Sequence, residues 1–377
     1  MIESALVAHH DASELFYQRG RGRGEAPRTG QGPELNHRTG TRIGCDLELD
    51  AEGKHLSYLH LSHSDNRHAY GVIPVPIAMI ANGAGPTVLL TAGNHGDEYE
   101  GQIILRRLIQ ELQPHEVRGR LFIIPALNLP AVLAAERVSP IDGGNMNRSF
   151  PGDPNGGPTE MIAHFVETVL LPRCQFAADL HSGGRASRYL PCAFLRRGSR
   201  EIMVRQLEAA KVFGAPHTVI VAGALEDRSL SAACDRMGTV MVATELAGGG
   251  GVDRDVAQLA RNGLDRLLRY WGALAADDPV SAPGTRFLEA RDRQSSVMAP
   301  IDGLFEPARR AAERVDQGQL AGWIHPMDDM ERPPSEIRFA TSGTIIAERV
   351  PPLVRRGDYL YHLGVKLTEA EALVGGS

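Results

Sequence analysis

Short apolar runs alternate with longer amphipathic segments through the middle of the chain. The runs of strand length are PTVLLTAG (86–93), RLFIIPA (120–126), FAADLH (176–181), HTVIVAG (217–223) and GTVMVATEL (238–246). Helical spacing of apolar residues is found at 98–113, 158–171, 201–213, 228–237 and 254–274. Buried strands that alternate with amphipathic helices predict an α/β sheet, at least partly parallel, with helices on both faces.

The segment before the first run has a strand pattern without helices. LELDAEGKHLSYLHLSHS predicts a hairpin that turns at 51–53, and GVIPVPIAMI (71–80) predicts a further strand. NGAGP (82–86) then marks a turn. We therefore expect a hairpin and a further strand before the alternating part of the chain.

After about residue 275 the pattern changes to short strands and turns. Segments 301–324 and 341–363 resemble each other, and each carries two glycines at nearly the same spacing. These are Gly303 with Gly318, and Gly343 with Gly357. This repeat predicts a small two-fold β unit that is barrel-sandwich-hybrid-like, as in lipoyl and biotinyl domains. The turn at 325–336 has no lysine to carry a cofactor, so we expect a structural or lid role.

Residues 1–42 differ from the rest of the chain. RGRGRGEAPRTGQGPE is rich in Gly, Arg and Pro and has no apolar period, which predicts a disordered tail. An arginine-rich arm for nucleic acid is the alternative, but the segment is short and the chain is acidic. We therefore expect a tail at 1–42, an α/β domain at 43–280 and a small β domain at 290–370.

Composition and charge narrow the class of protein. The chain has 377 residues, of which 42% are hydrophobic, and a net charge of −6. This length and hydrophobic content are ample for a buried core. The chain has no excess of basic residues that would favour a nucleic acid or an anionic membrane as partner. No apolar run approaches the ~20 residues of a spanning helix, and the first residues do not resemble a secretory signal. Scattered cysteines without a CxxC pair predict reduced thiols in a cytoplasmic protein: Cys45, Cys174, Cys192 and Cys234.

Histidines and acids stand at three of the predicted strand ends. His95 and Glu98 follow PTVLLTAG, His181 ends FAADLH, and Glu245 lies at the end of GTVMVATEL. Ligands of open α/β sheets bind beyond the carboxyl ends of the strands, so we expect these side chains to converge. Each motif alone is weak, because most such residues cap helices or form hydrogen bonds in a core. The prediction rests on their joint occurrence.

These residue types fit a catalytic metal site. His95 and Glu98 are three apart at the entry to a helix, so they share a face, and His181 can add a third ligand. Two histidines and a glutamate leave one position open on Zn²⁺, which would polarise a carbonyl and lower the pKa of a water to about 7. Glu245 would be partly desolvated, and its raised pKa would suit a general base. We expect one Zn²⁺ per chain.

A polar loop, RVSPIDGGNMNRSFPG (137–152), supplies further candidates. Asn147 and Arg148 combine an amide with a planar fork that can hold a carboxylate, and Arg137 can face an oxyanion. Without the metal site we would interpret them as surface residues. A second group of histidines shows no nearby acid and is interpreted as exposed strand residues: His55, His60, His63 and His68.

The motifs GNHGDEYEG, NMNRSFPG, DLHSGG and TELAGGG together resemble the succinylglutamate desuccinylase/aspartoacylase family, a branch of the zinc-carboxypeptidase-like fold. The match runs in order over about 70–270, and the β domain after 290 also fits. The resemblance implies a mixed sheet with helices on both faces. It implies zinc on His95, Glu98 and His181, with Glu245 as general base and acid, Asn147 and Arg148 on the substrate α-carboxylate, and Arg137 on the amide oxygen.

The resemblance also implies a substrate class, a small N-acyl amino acid. SPIDGGNMNRSFPG, TELAGGGG and DGLFEP are most similar to the branch that deacetylates N-α-acetyl-L-2,4-diaminobutyrate in ectoine breakdown. Deacylation of succinylglutamate or acetylaspartate, a peptide-cleaving carboxypeptidase and a metal-free binding protein remain alternatives. A diacid would need an additional cation in the pocket, whereas an ammonium would need an anion, for which Asp153 and Glu160 are candidates. Sheet edges on both domains are compatible with a homodimer.

Overall fold

The computed structural model describes residues 40–66, 68–221, 227–275, 280–291 and 295–373. The predicted tail at 1–42 lies outside the described residues except for its last three positions. None of the described helices has the length and apolar character needed to cross a membrane. All four cysteines are buried and free.

Named in chain order, the strands of the α/β part are β1 (Gly44–Cys45), β2 (Gly53–Asp65), β3 (His68–Asn82), β4 (Thr87–Ala92), β5 (Gly119–Ile124), β6 (Phe176–Ser182), β7 (Ser187–Tyr189), β8 (Cys192–Arg196), β9 (His217–Val221) and β10 (Val240–Leu246). Its helices are α1 (Tyr99–Glu111), α2 (Leu129–Ala134), α3 (Pro158–Phe165), α4 (Arg200–Phe213), α5 (Leu230–Met237) and α6 (Arg254–Tyr270). The C-terminal part contains β11 (Arg286–Ala290), β12 (Ser296–Met298), β13 (Gly303–Pro307), β14 (Arg314–Val315), β15 (Leu320–His325), β16 (Ser335–Arg338), β17 (Gly343–Arg349), β18 (Leu353–Val354), β19 (Tyr359–Lys366) and α7 (Glu369–Leu373).

One mixed sheet runs through the described residues in the order β1-β2-β3-β5-β4-β6-β10-β8-β9-β11-β19-β17-β14. Its centre is parallel, since β4 pairs in parallel with both β5 and β6, and β6 pairs in parallel with β10. Strand β8 runs antiparallel to β10. The predicted α/β sheet is confirmed, but the strand direction reverses at β8 and stays reversed in β9 and β11, which the alternation of strands and helices does not indicate.

Helices cover both faces of this sheet, as the apolar runs predict. Leu90 of β4 packs in one cluster with Leu105 of α1 and Leu264 of α6, while its neighbour Leu89 packs in the other with Phe165 of α3. Successive residues of a strand point to opposite faces, so a strand buried on both faces reads as a continuous apolar run. The sheet edge that carries the strand ends is left for polar side chains.

The antiparallel end of the sheet differs in detail from the prediction. A turn does lie at 46–52, between the antiparallel strands β1 and β2, but β1 has only two residues. The long hairpin is formed by β2 and β3, which stay paired from Gly53 opposite Ala81 to Asp65 opposite His68. The apolar residues Leu59 and Val75 face each other in this pairing and are buried, which fixes its register.

The C-terminal strands show the relationship that the glycine spacing indicates. β13 begins at Gly303 and β17 begins at Gly343. β13 pairs with β18, and β17 pairs with β14, so each half lends its short strand to the long strand of the other half. The main sheet continues into this region, because β11 pairs with β9 and β19 pairs with β11. The division into domains at 43–280 and 290–370 stays a prediction.

Candidate active site

The turn between β4 and α1 holds the first two predicted ligands. Nδ1 of His95 lies 2.6 Å from Oε1 of Glu98, and both side chains are buried. A Cβ on Gly96 would lie 1.9 Å from the carbonyl oxygen of Ala131 in α2, so the turn packs directly on that helix. Only glycine fits there, and this packing holds His95 and Glu98 on the same side of the turn.

The end of β6 supplies the third predicted ligand, His181. Nδ1 of His181 lies 2.8 Å from Oε2 of Glu98, so one carboxylate lies between the two imidazole rings. Donor atoms of His95, Glu98 and His181 all lie within 4.8 Å of one another. The three residues predicted from two strand ends therefore form one buried cluster, the only such group of three or more that the described part of the chain contains.

The outer nitrogen of each imidazole faces an acceptor. Nε2 of His95 lies 3.1 Å from Oδ1 of Asn145, and Nε2 of His181 lies 2.9 Å from Oδ2 of Asp179. Such acceptors favour the tautomer with its proton on Nε2, which would leave the lone pairs of Nδ1 for a metal ion. Two such Nδ1 atoms and a carboxylate are a donor set that fits a divalent transition-metal ion.

Asp179 is itself held in place from two sides. The Thr91 hydroxyl donates to its Oδ1 at 2.8 Å, and Nδ2 of Asn94 donates to its Oδ2 at 2.6 Å. The sequence pattern did not single out Asp179, although it precedes His181 by two residues on a strand and therefore shares its face. That spacing is the signal that could have found it.

Burial and charge perturb the pKa values of this cluster. Burial would raise the pKa of Glu98, but the charges of His95 and His181 lower it below its ordinary value. Burial opposes protonation of His181, yet the charges of Asp179 and Glu98 raise its pKa well above the ordinary value. Burial lowers the pKa of His95. Several perturbed groups in one cavity are typical of a functional site.

Glu245 lies next to the cluster on the neighbouring strand. In the parallel pairing of β10 with β6 it stands directly opposite His181. Its Oε2 is buried and has no hydrogen-bond partner among the described residues. Burial raises the pKa of Glu245 well above its ordinary value, and the negative charge of Glu98 adds to the shift. This is the direction expected for a carboxylate at the end of a buried strand.

A cavity of about 460 Å³ opens at these strand ends. Its lining includes every site residue that the sequence predicts, namely His95, Glu98, Arg137, Asn147, Arg148, His181 and Glu245. Nη1 of Arg137 lies 3.3 Å from Nδ1 of His95 and 3.5 Å from Oε1 of Glu98. The guanidinium therefore reaches the donor cluster from the open side, with half of its side chain exposed.

The loop that carries Arg137 and Arg148 is tied to its surroundings. Asp142 accepts hydrogen bonds from the backbone N–H of Thr159 at 2.8 Å and from its hydroxyl at 2.9 Å. Oδ1 of Asn147 accepts from the backbone N–H of Leu230 at 3.1 Å, which leaves the amide N–H₂ for the cavity. Nη1 of Arg148 donates to the Asn147 carbonyl at 2.7 Å. An amide donor and a guanidinium thus stand side by side.

Other lining residues were not predicted. The hydroxyls of Ser187 and Tyr359 are joined by a hydrogen bond, and β7, which carries Ser187, pairs with β17. Tyr189 also lines the cavity, and burial raises its pKa well above the ordinary value, with the charge of Glu245 adding to the shift. The C-terminal part therefore contributes Tyr359 to the cavity, which no local motif indicates.

The two acids that the sequence suggests as partners for a substrate ammonium lie outside the cavity. Asp153 accepts from the backbone N–H of Asn155 and Glu160 from that of Gly157, and neither lines the cavity. Among the histidines of β2, His60 forms an exposed pair with Asp46 at 2.9 Å, so it has a local acid that the sequence pattern did not reveal. His55 faces the Glu52 carbonyl at 2.7 Å. In the described part of the chain this group forms no cluster of metal-ligand type.

Comparison with known proteins identifies relatives over most of the chain. Residues 84–271 match the succinylglutamate desuccinylase/aspartoacylase catalytic domain, a span that contains all seven predicted site residues. The N-alpha-acetyl-L-2,4-diaminobutyric acid deacetylase of Halomonas elongata is 37% identical over 317 residues, which are 84% of this chain and 93% of the relative.

Solved structures of similar proteins come from the same family. The product-bound ectoine utilization protein of Ruegeria pomeroyi superposes with a TM-score of 0.83 at 37% identity, covering 86% of this chain and 99% of the other. A succinylglutamate desuccinylase/aspartoacylase of Rhodobacter sphaeroides gives 0.81 at 36% identity, covering 87% and 100%. With the catalytic-domain match and the relative from Halomonas elongata, these likenesses show that the chain belongs to the succinylglutamate desuccinylase/aspartoacylase family of hydrolytic enzymes.

Proposed function

We propose that this protein is a zinc-dependent deacetylase that hydrolyses N-α-acetyl-L-2,4-diaminobutyrate to acetate and L-2,4-diaminobutyrate. The observation that carries the reaction class is the convergence of His95, Glu98, His181 and Glu245 with three arginine-loop residues in one cavity. The substrate is supported by the 37% identity to a deacetylase of that name and by the likeness to an ectoine utilization protein.

His95, Glu98 and His181 would hold one Zn²⁺ through two Nδ1 atoms and a carboxylate oxygen. When bound, this ion would polarise the acyl carbonyl and promote ionisation of a water molecule. The acceptors Asn145 and Asp179 support this assignment, because they hold both imidazoles in the tautomer that binds a metal.

The other side chains of the cavity would bind the substrate or transfer protons. Arg148 and the amide N–H₂ of Asn147 would bind the substrate α-carboxylate. Arg137 would stabilise the negative charge that develops on the amide oxygen, since it approaches the donor cluster from the open side. Glu245 would take the proton of the attacking water and deliver it to the leaving nitrogen. A raised pKa lets one carboxyl group act as base and then as acid near neutral pH.

Two alternative functions are less well supported. A carboxypeptidase must admit a polypeptide, but here the hydrogen-bonded hydroxyls of Tyr359 and Ser187 line the cavity, so the C-terminal part contributes to its walls. A metal-free binding protein would not need a buried triad with matched acceptors, nor a buried Oε2 of Glu245 that has no hydrogen-bond partner in the described part of the chain. We also propose a cytoplasmic location, since all four cysteines are free and buried.

The test is a substrate panel on zinc-loaded protein that measures the free amine released. N-α-acetyl-diaminobutyrate, its N-γ-acetyl isomer, acetylaspartate and succinylglutamate differ in the position of the acyl group and in side-chain charge. We expect strong preference for the N-α-acetyl compound. Preference for a diacid would overturn the substrate and keep the metal chemistry, whereas no turnover of any N-acyl amino acid would overturn the function.

A further inference from the structure

Arg196, the last residue of β8, gives the cavity a third cation besides Arg137 and Arg148. It lies two residues after Phe194, which also lines the cavity, so both side chains share one face of the strand. Glu245 stands opposite Cys192, four residues before Arg196, so about 13 Å of strand separate Arg196 from the reacting end. A free guanidinium there would suit the second carboxylate of a diacid substrate.

The Arg196 guanidinium is not free, because two carboxylates hold it. Nη1 donates to Oδ2 of Asp235 at 2.8 Å, and Nη2 donates to Oδ1 of Asp227 at 2.6 Å. The side chains of Arg196 and Asp235 are only 20% and 15% exposed, whereas Asp227 is 83% exposed. Two negative charges therefore face one positive charge, and the ion pair between Arg196 and Asp235 is shielded from solvent.

A second arginine, which contacts the Asp227 backbone, is also neutralised. Arg236 of α5 donates from Nε and Nη2 to the two oxygens of Glu167 at 2.9 and 2.8 Å, and from Nη1 to the Asp227 carbonyl at 2.7 Å. Together Arg196 and Arg236 face three carboxylates, those of Asp227, Asp235 and Glu167. The charges of these five groups therefore sum to minus one, so the carboxylates around Arg196 more than neutralise it.

We propose that Asp227 and Asp235, by neutralising Arg196, make the cavity select a substrate whose side chain carries an ammonium over one whose side chain carries a carboxylate. The inference rests on the proposed function and adds the residues that determine specificity at the end of the cavity far from Glu245. A cationic side chain meets a guanidinium whose charge two carboxylates neutralise, while an anionic side chain finds that guanidinium already engaged on both sides.

The deciding variant is Asp227→Asn, because this carboxylate is exposed and its removal spares the core. The measurement is the ratio of kcat/KM for N-α-acetyl-diaminobutyrate to kcat/KM for acetylaspartate. We expect the ratio to fall by roughly tenfold, mainly through KM, because Arg196 loses one of the two carboxylates that neutralise it. Asp235→Asn should change the ratio in the same direction, and adding Arg196→Gln to Asp227→Asn should abolish any gain with acetylaspartate.

Asp316→Asn is the matched control, since it removes an exposed carboxylate from the C-terminal part, away from the cavity. It should leave the ratio unchanged. A ratio that stays within twofold of wild type in Asp227→Asn, at equal zinc content and equal thermal stability, would overturn this inference and leave the proposed function standing. Wild-type protein that prefers acetylaspartate would overturn both.

Discussion

Oδ2 of Asp179 lies 2.9 Å from Nε2 of His181, on the side of the ring that faces away from Glu98. The acceptor holds the ring proton on Nε2 and turns Nδ1 toward the other two donors of the triad. Thr91 and Asn94 donate hydrogen bonds to the Asp179 carboxylate and hold it in place. The orientation of one proposed metal ligand thus depends on a residue that is not itself a member of the triad.

The first prediction concerns Asp179→Asn. Loss of the charged acceptor should weaken zinc binding by roughly 10–100-fold, because the imidazole is less basic and less firmly oriented. Competition with a fluorescent zinc chelator measures this. Asp46→Asn is the control, since it changes an exposed carboxylate that also pairs with a histidine, His60, outside the cavity. Equal zinc affinity in Asp179→Asn and wild type would contradict the assigned role.

The second prediction concerns removal of the metal. Chelation should abolish hydrolysis, and added Zn²⁺ should restore it. Zinc bound only by the folded protein should also raise the free energy of unfolding, by about 2.7 kcal/mol at a hundredfold excess over Kd. Thermal unfolding with and without Zn²⁺ measures this, and His181→Ala should lose most of the zinc-dependent increase. Identical melting curves for wild type in both conditions would count against the site.

The third prediction concerns Arg137→Ala. If the guanidinium acts on charge that develops during the reaction, kcat should fall by roughly 10²–10³-fold while KM changes little. Steady-state kinetics on zinc-loaded protein separates the two constants. A large rise in KM with unchanged kcat would instead assign Arg137 to ground-state binding.

The fourth prediction concerns the packing of α1 on β6, which positions Glu98 next to His181. A Cβ on Gly101 would lie 2.4 Å from the Leu180 carbonyl oxygen, so Gly101→Ala forces the helix away from the strand. We expect a loss of roughly 1–3 kcal/mol in the free energy of unfolding, measured by urea denaturation. Gly284→Ala, with no atom within 4 Å of the added carbon, should be close to neutral. Equal stability of the two variants would contradict this view of the packing.

The convergence of His95, His181 and Glu245 was predictable because the carboxyl ends of parallel strands meet at one edge of a sheet. That rule needs only the apolar runs and the residues that end them. It locates the donor cluster before any side-chain contact is known.

The other walls of the cavity could not be predicted in this way. β8 is antiparallel and interrupts the alternation of strands and helices, so Arg196 was not expected in the cavity. Tyr359 arrives from the C-terminal part, about 180 positions after His181, through strand pairing that no local pattern specifies. The pairing of Arg196 with Asp227 and Asp235 depends on where α5 packs, which is a tertiary contact.

The most direct test of the central claim, that Glu245 transfers protons beside a metal triad, is the rate of Glu245→Gln at full zinc occupancy. Glutamine keeps the size of the side chain but cannot accept and deliver a proton. We predict that hydrolysis of N-α-acetyl-diaminobutyrate falls by roughly 10²–10⁴-fold or more, with zinc content unchanged. Activity close to wild type in the zinc-loaded variant would contradict the claim and require another base.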